Sequence, residues 1–129
     1  MNFKPGLRGS ASTIVTETST ATGVGSGSVH VFATPMLVAL MEKAAINALE
    51  GMVPEGQTTV GTRVDIVHTA ATPVNITVTA YAELIEVDRK RLLFNVTAED
   101  NAGPIGHGQH ERFIIVPEKF MAKARIKLN

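Results

Sequence analysis

The stretch TPMLVALMEKAAINALEG at Thr34–Gly51 is the one long helical pattern in the chain. Thr34-Pro35 offers an N-cap followed by a proline at the first helical position, and Gly51 is a natural stop. At about 100° per residue, Leu37, Met41, Ala44, Ala48 and Met52 share one face, and Lys43, Asn47 and Glu50 share the opposite one. Glu42 belongs to neither stripe. It lies beside Val38, Ala45, Ile46 and Leu49. A carboxylate flanked by apolar residues either reaches water at the edge of the core face or must be hydrogen-bonded, paired or raised in pKa.

Outward from this helix the pattern is that of strands. Residues 11–18, ASTIVTET, are rich in β-branched side chains, and residues 19–28, STATGVGSGS, read as a flexible loop of glycine and small hydroxyl residues. After the helix come four strand-like segments, at 58–69, 74–87, 91–100 and 105–116, joined by hairpin-length turns. The tail PEKFMAKARIKLN suits a short helix with Pro117 near its start. One strand, one helix and four strands predict an α+β fold in a single domain spanning residues 1–129. Its antiparallel five-stranded sheet wraps around one central helix, the hot-dog architecture, although parity alone also admits another helix-on-sheet α+β fold.

Bulk properties narrow the function. Twelve basic and twelve acidic residues cancel, so no overall charge favours nucleic acid or an anionic membrane. No cysteine is present, which excludes disulfides, thiolate nucleophiles and cysteine metal sites, and fits a cytoplasmic protein. The sequence contains neither a signal-peptide core nor an apolar run long enough for a membrane span.

Chemistry enters at VDIVHTAATP, Val64–Pro73. Val60, Val64, Ile66 and His68 fall on one parity of a strand; Gly61, Arg63, Asp65 and Val67 fall on the other. His68 thus inherits an inward direction and should face the helix. A hydroxyl at Thr34, a carboxylate at Glu42 and an imidazole at His68 are the parts of an assisted nucleophilic or general-base site. A lone inward histidine can equally be a satisfied core residue. His107 and His110 have the look of metal spacing, but three residues apart on a strand they face opposite ways. The basic tail residues Lys119, Lys123, Arg125 and Lys127 form a solvated face or a contact for phosphate groups.

TPMLVALMEKAA, GTRVDIVHTAATP and HERFIIVPEKFMAKAR together closely resemble the fluoroacetyl-CoA thioesterase family of the hot-dog thioesterase superfamily, from Val31 onward. The resemblance implies hydrolysis of an acyl-CoA, of short chain, with no metal or other cofactor, by a homodimer or a dimer of dimers. It implies that Thr34, Glu42 and His68 are catalytic, Glu42 and His68 orienting and activating Thr34 or a water, and that Gly61 and Arg112 line the acyl end of the pocket. A non-catalytic acyl-CoA-binding or sensing domain is the competing reading. One departure stands out. The family's fluoroacetyl-specific member carries a longer, aromatic lid before the helix. Here TSTATGVGSGSVHVF is glycine-rich with Phe32 its only aromatic, so fluoroacetyl specificity is not implied.

Overall fold

The computed structural model describes residues 3–128. Five strands form one antiparallel sheet: β1 (Arg8–Ile14), β2 (Thr58–His68), β3 (Thr77–Asp88), β4 (Arg91–Asp100) and β5 (Gly103–Ile115), in the order β1-β3-β4-β5-β2. Three α-helices accompany them among the described residues: α1 (Ala21–Val24), α2 (Thr34–Ala48) and α3 (Pro117–Arg125). This is the expected hot-dog arrangement. The inward residues of β3 and β4, Val78, Ala80, Ala82, Leu84, Leu92, Phe94, Val96 and Ala98, are buried on the same side as Leu37, Leu40, Met41, Ala44, Ala45 and Ala48 of α2. Alternation along β3 and β4 is almost unbroken, as expected for a sheet with one face on the core and one in water.

The helix is off-centre. It packs mainly against β1 and β3 and touches β2 and β4 much less. The close approach is made possible by Gly9: a β-carbon there would run into the backbone of Ala44 and Ala48. Asn47 of the otherwise polar stripe donates to the Ser10 carbonyl at 2.8 Å, fixing the same contact. Consequently the β5–β2 side of the sheet is thinly covered. None of the eleven residues of the edge strand β2 is fully buried.

Four local expectations are corrected. Ala33, not Thr34, is the N-cap of α2, and Thr34 is the first helical residue with its hydroxyl turned away from the helix backbone. The helix ends at Ala48, and its last turns tighten into three-residue bonds (Leu49 N–H to Ile46 O at 3.1 Å, Glu50 N–H to Asn47 O at 3.2 Å), which leaves Met52 exposed beyond it. Strict alternation on β2 fails at Thr62, where a bulge shifts the register between Gly61 and Arg63. One extra residue turns Gly61 inward, in register with the buried Arg112, while Val64, Ile66 and His68 keep their inward parity. Finally, the loop read as flexible is folded. Thr20 caps the short helix α1 through the Gly23 N–H at 3.1 Å, Ala21 N–H bonds Val31 O at 2.9 Å, and Ser26 N–H bonds Ala21 O at 2.9 Å. Small residues without apolar bulk are held here by backbone bonds instead.

Substituting Gly9 by valine should lower stability by about 1–3 kcal/mol or more, the range for forcing bulk into a packed contact. A denaturant unfolding midpoint compared with wild type checks this.

Candidate active site

Two polar clusters lie along the cleft between α2 and the β5–β2 side. The first is at the start of α2. Thr34 Oγ1 and His68 Nδ1 stand 2.8 Å apart, joining the first helical turn to the last residue of β2. Because Thr34 does not cap the helix, its hydroxyl is available to this contact. His68 is half-buried, and its Nε2 is enclosed without a hydrogen-bond partner among the described residues. Burial lowers the His68 pKa from its ordinary value, with the Ala70 backbone opposing in part. A neutral imidazole with a hydroxyl on Nδ1 is equipped to take that hydroxyl's proton. The positive end of the α2 dipole lies at the same place and favours developing negative charge.

The second cluster sits two helical turns on. Glu42 Oε2 accepts from Arg112 Nη1 at 3.2 Å. Arg112 is 5% exposed, and it also donates to Thr59 Oγ1 at 2.9 Å and Thr59 O at 3.0 Å. His110, 1% exposed, donates from Nδ1 to the Arg63 carbonyl at 2.8 Å and accepts from Arg112 Nη1 on Nε2 at 3.1 Å. Both His110 nitrogens are thereby assigned, and the ring is held neutral. Burial lowers its pKa, and the Arg112 charge adds to that. Gly61 leaves room for the cluster: a β-carbon there would run into the Glu42 carboxylate and stand 3.2 Å from His110 Cε1 and 3.3 Å from Arg112 Nη1. Burial of the guanidinium disfavours its charge, and the Glu42 carboxylate opposes that loss.

The structure therefore brings Thr34 to His68, and Glu42 to Gly61 and Arg112, but it does not bring the two sets together within one chain. Eight residues of helix separate Thr34 from Glu42, about 12 Å along the axis. His110 was missed as a member of the second set. Strand parity could have found it, since it shares the inward direction of Arg112 and Ile114. His107 is exposed on the other face, so the two histidines do point opposite ways. Among the described residues, no His, Cys, Asp or Glu side chains are grouped in threes to hold a metal ion, and no helix is long and apolar enough to cross a membrane.

The chain resembles known proteins in sequence and in fold. The sequence model of the fluoroacetyl-CoA-specific thioesterase family matches residues 15–118. The fluoroacetyl-CoA thioesterase of Streptantibioticus cattleyicolor is 46% identical over 98 residues, which cover 76% of this chain and 70% of that protein. A solved structure of a fluoroacetyl-CoA thioesterase superposes with a TM-score of 0.92 at 37% identity, covering 98% of each chain. A thioesterase superfamily member from Thermus thermophilus superposes with a TM-score of 0.85 at 26% identity, over 95% of this chain and 90% of the other.

His68 and His110 should both titrate below the ordinary histidine value near 6.5, as followed by their ring-proton NMR shifts. The unfolded chain binds protons at these rings before the folded one does, so stability should be highest above about pH 6.5 and decline as pH falls below it. Unfolding free energy measured from pH 8 to 5 checks the direction.

Proposed function

This chain belongs to the fluoroacetyl-CoA-specific thioesterase family, and on that basis we propose that it hydrolyses acyl-CoA thioesters at a site shared by two copies of the chain. The observation that carries the reading is the Thr34–His68 contact at the start of α2. His68, neutral by burial, takes the Thr34 proton as Oγ1 attacks the thioester carbonyl. Collapse of the tetrahedral adduct expels the CoA thiolate, which takes that proton from His68, and leaves an acyl ester on Thr34. Water then attacks that ester, giving a proton to His68, which returns it to Thr34 Oγ1 as the ester bond breaks and the free acid departs.

Two copies are invoked because one chain holds the parts apart. The β2 edge is long and unpaired, and Ile46 and Val64 beside it remain 48% and 37% exposed. Unpaired edges favour pairing with another strand, and a two-fold axis makes such pairing antiparallel. With the axis between Val64 and Asp65, Gly61 of one copy comes opposite His68 of the partner subunit. Glu42 and Arg112 of one chain then approach Thr34 and His68 of the other. Since His68 Nε2 is enclosed by its own chain, Glu42 meets the reaction from the substrate side, where it holds the water that releases the acyl group. Gly61 and Arg112 close the acyl end from that same side. A homodimer, or a dimer of dimers, is the smallest active form in this reading, and a cytoplasmic location with acyl-CoA as its substrate belongs to it.

Thr34→Ala and His68→Ala should each lower turnover per folded molecule by about 10²–10⁴, the range for one positioned proton-transfer group. Thr34→Ser should retain more activity than Thr34→Ala. Mixing unfolded Thr34→Ala and Glu42→Gln chains and refolding them together should restore about a quarter of wild-type thiol release. Half the dimers would be mixed, each with one intact site of two. No recovery in a mixture shown to contain mixed dimers would exclude the shared site, and full normalised activity in His68→Ala would return His68 to a core role.

A further inference from the structure

We propose that Thr72 and Asp100 are positioning residues for the reaction: their hydrogen bond holds the segment that follows His68 against the segment that leads into Thr34. The inference rests on reading Thr34 and His68 as the reacting pair. Their 2.8 Å contact joins two parts of the chain that are far apart in sequence. Thr34 opens α2 just after residues 31–33, and His68 closes β2 just before residues 69–72. The distance between the two side chains therefore depends on what ties those flanking segments together. The tie is made at Thr72. Phe32 N–H donates to Thr72 O at 2.8 Å, and Val31 forms an antiparallel bridge with Pro73. On the other side Phe32 bridges Thr20, and Ala33 N–H donates to Ser19 O at 2.9 Å. A short ladder thus runs from residues 19–20 through 31–33 to 72–73, immediately before Thr34.

The Thr72 side chain fastens this ladder to the sheet. Thr72 is 0% exposed, and a hydroxyl so placed needs an acceptor. Asp100, the last residue of β4, supplies it: Thr72 Oγ1 donates to Asp100 Oδ2 at 2.8 Å, while Asp100 Oδ1 accepts from Ala102 N–H at 2.9 Å. The Thr72 hydroxyl, and after it the Ala102 backbone, hold the Asp100 carboxyl below its ordinary range, so the acceptor is charged and the bond stronger than a neutral one. One carboxylate thereby clamps the ladder to the β4–β5 turn. All these bonds run within a single chain, so they hold equally when two copies pair along β2. Reacting groups tolerate little displacement: about 1 Å can cost about a hundredfold in rate. A bond that served stability alone would lower the melting temperature and leave turnover per folded molecule, and the surroundings of the His68 ring, as they were.

The test compares wild type with Thr72→Val, Thr72→Ser, Asp100→Ala and the double variant Thr72→Val/Asp100→Ala. For each, kcat and KM for CoA release from acetyl- and butyryl-CoA are normalised to folded protein, and the His68 ring-nitrogen NMR shifts are recorded without substrate. Asp100 is only partly buried at the end of β4, so Asp100→Ala leaves the core in place should Thr72→Val fail to fold. Expected is a fall in kcat of about 10–100-fold in Thr72→Val and in Asp100→Ala, with KM within about twofold of wild type. Thr72→Ser, which keeps the hydroxyl, should stay within about threefold of wild-type kcat. The double variant should lose no more than the worse single one, because both remove the same bond. The His68 ring-nitrogen shifts should move in Thr72→Val and Asp100→Ala and return in Thr72→Ser. Unchanged normalised kcat in the folded single variants would overturn the proposal, and so would unmoved His68 shifts. Full normalised activity in Thr34→Ala or His68→Ala is a different result: it would refute the reacting pair itself. Were wild type to release no thiol from either substrate, the thioesterase reading would fail, and the His68 shifts would still decide whether Thr72 and Asp100 position the ring.

Discussion

The close contact of α2 with β1 sets the rest of the molecule. Gly9 lets the backbone of Ala44 and Ala48 come against the strand, and the single helix is drawn to the β1–β3 half of a five-stranded sheet. A helix of this width cannot cover both halves. The apolar surface it covers supplies the core, and the side it leaves open becomes a cleft along β2 and β5. Polar side chains occur inside this fold largely where the helix does not press on the sheet. The reactive groups occupy that cleft because only there can a buried or half-buried polar atom meet another polar atom instead of a methyl group.

The cleft holds two chemically different clusters. At its head, Thr34 and His68 form a neutral pair in which desolvation keeps the imidazole uncharged. Further along, Arg112 is buried with its donors spent on Thr59, His110 and Glu42. A guanidinium at this depth is tolerable only with such a set of acceptors, and that set fixes the Glu42 carboxylate in turn. A neutral His110 is part of the arrangement, since a protonated ring could not accept from Arg112. The separation keeps the Glu42 charge from acting directly on His68 in the same chain, whose pKa is governed by burial.

The segment between β1 and α2 shows how little apolar bulk a folded cover needs. Its glycines and small hydroxyl residues suggested an open loop, yet side-chain and backbone caps close it into a turn of helix. Phe32, its lone aromatic, is 1% exposed, built into the core and into one side of the open groove beside Thr34 and His68. A cover made of small residues leaves space over the reacting pair, where a bulkier aromatic segment would occupy it.

Much of this was written in the sequence. The 3.6-residue period of Leu37, Met41, Ala44 and Ala48 placed the helix, alternation placed the strands, and parity turned His68 inward, because these signals depend on neighbours along the chain. The membership of Thr34 and His68 in one site followed from family likeness, and the structure puts them in contact. Tertiary structure decided what local patterns cannot encode. The bulge at Thr62 reversed the facing of Gly61, since register depends on the partner strand β5. Thr34 gave up its expected capping role because a histidine from a distant strand offered its hydroxyl a partner. Glu42, ambiguous on its own helix, found Arg112 seventy residues away. Periodicity gives the direction a side chain takes from its own backbone, but its partner is set by the packing of segments far apart in sequence.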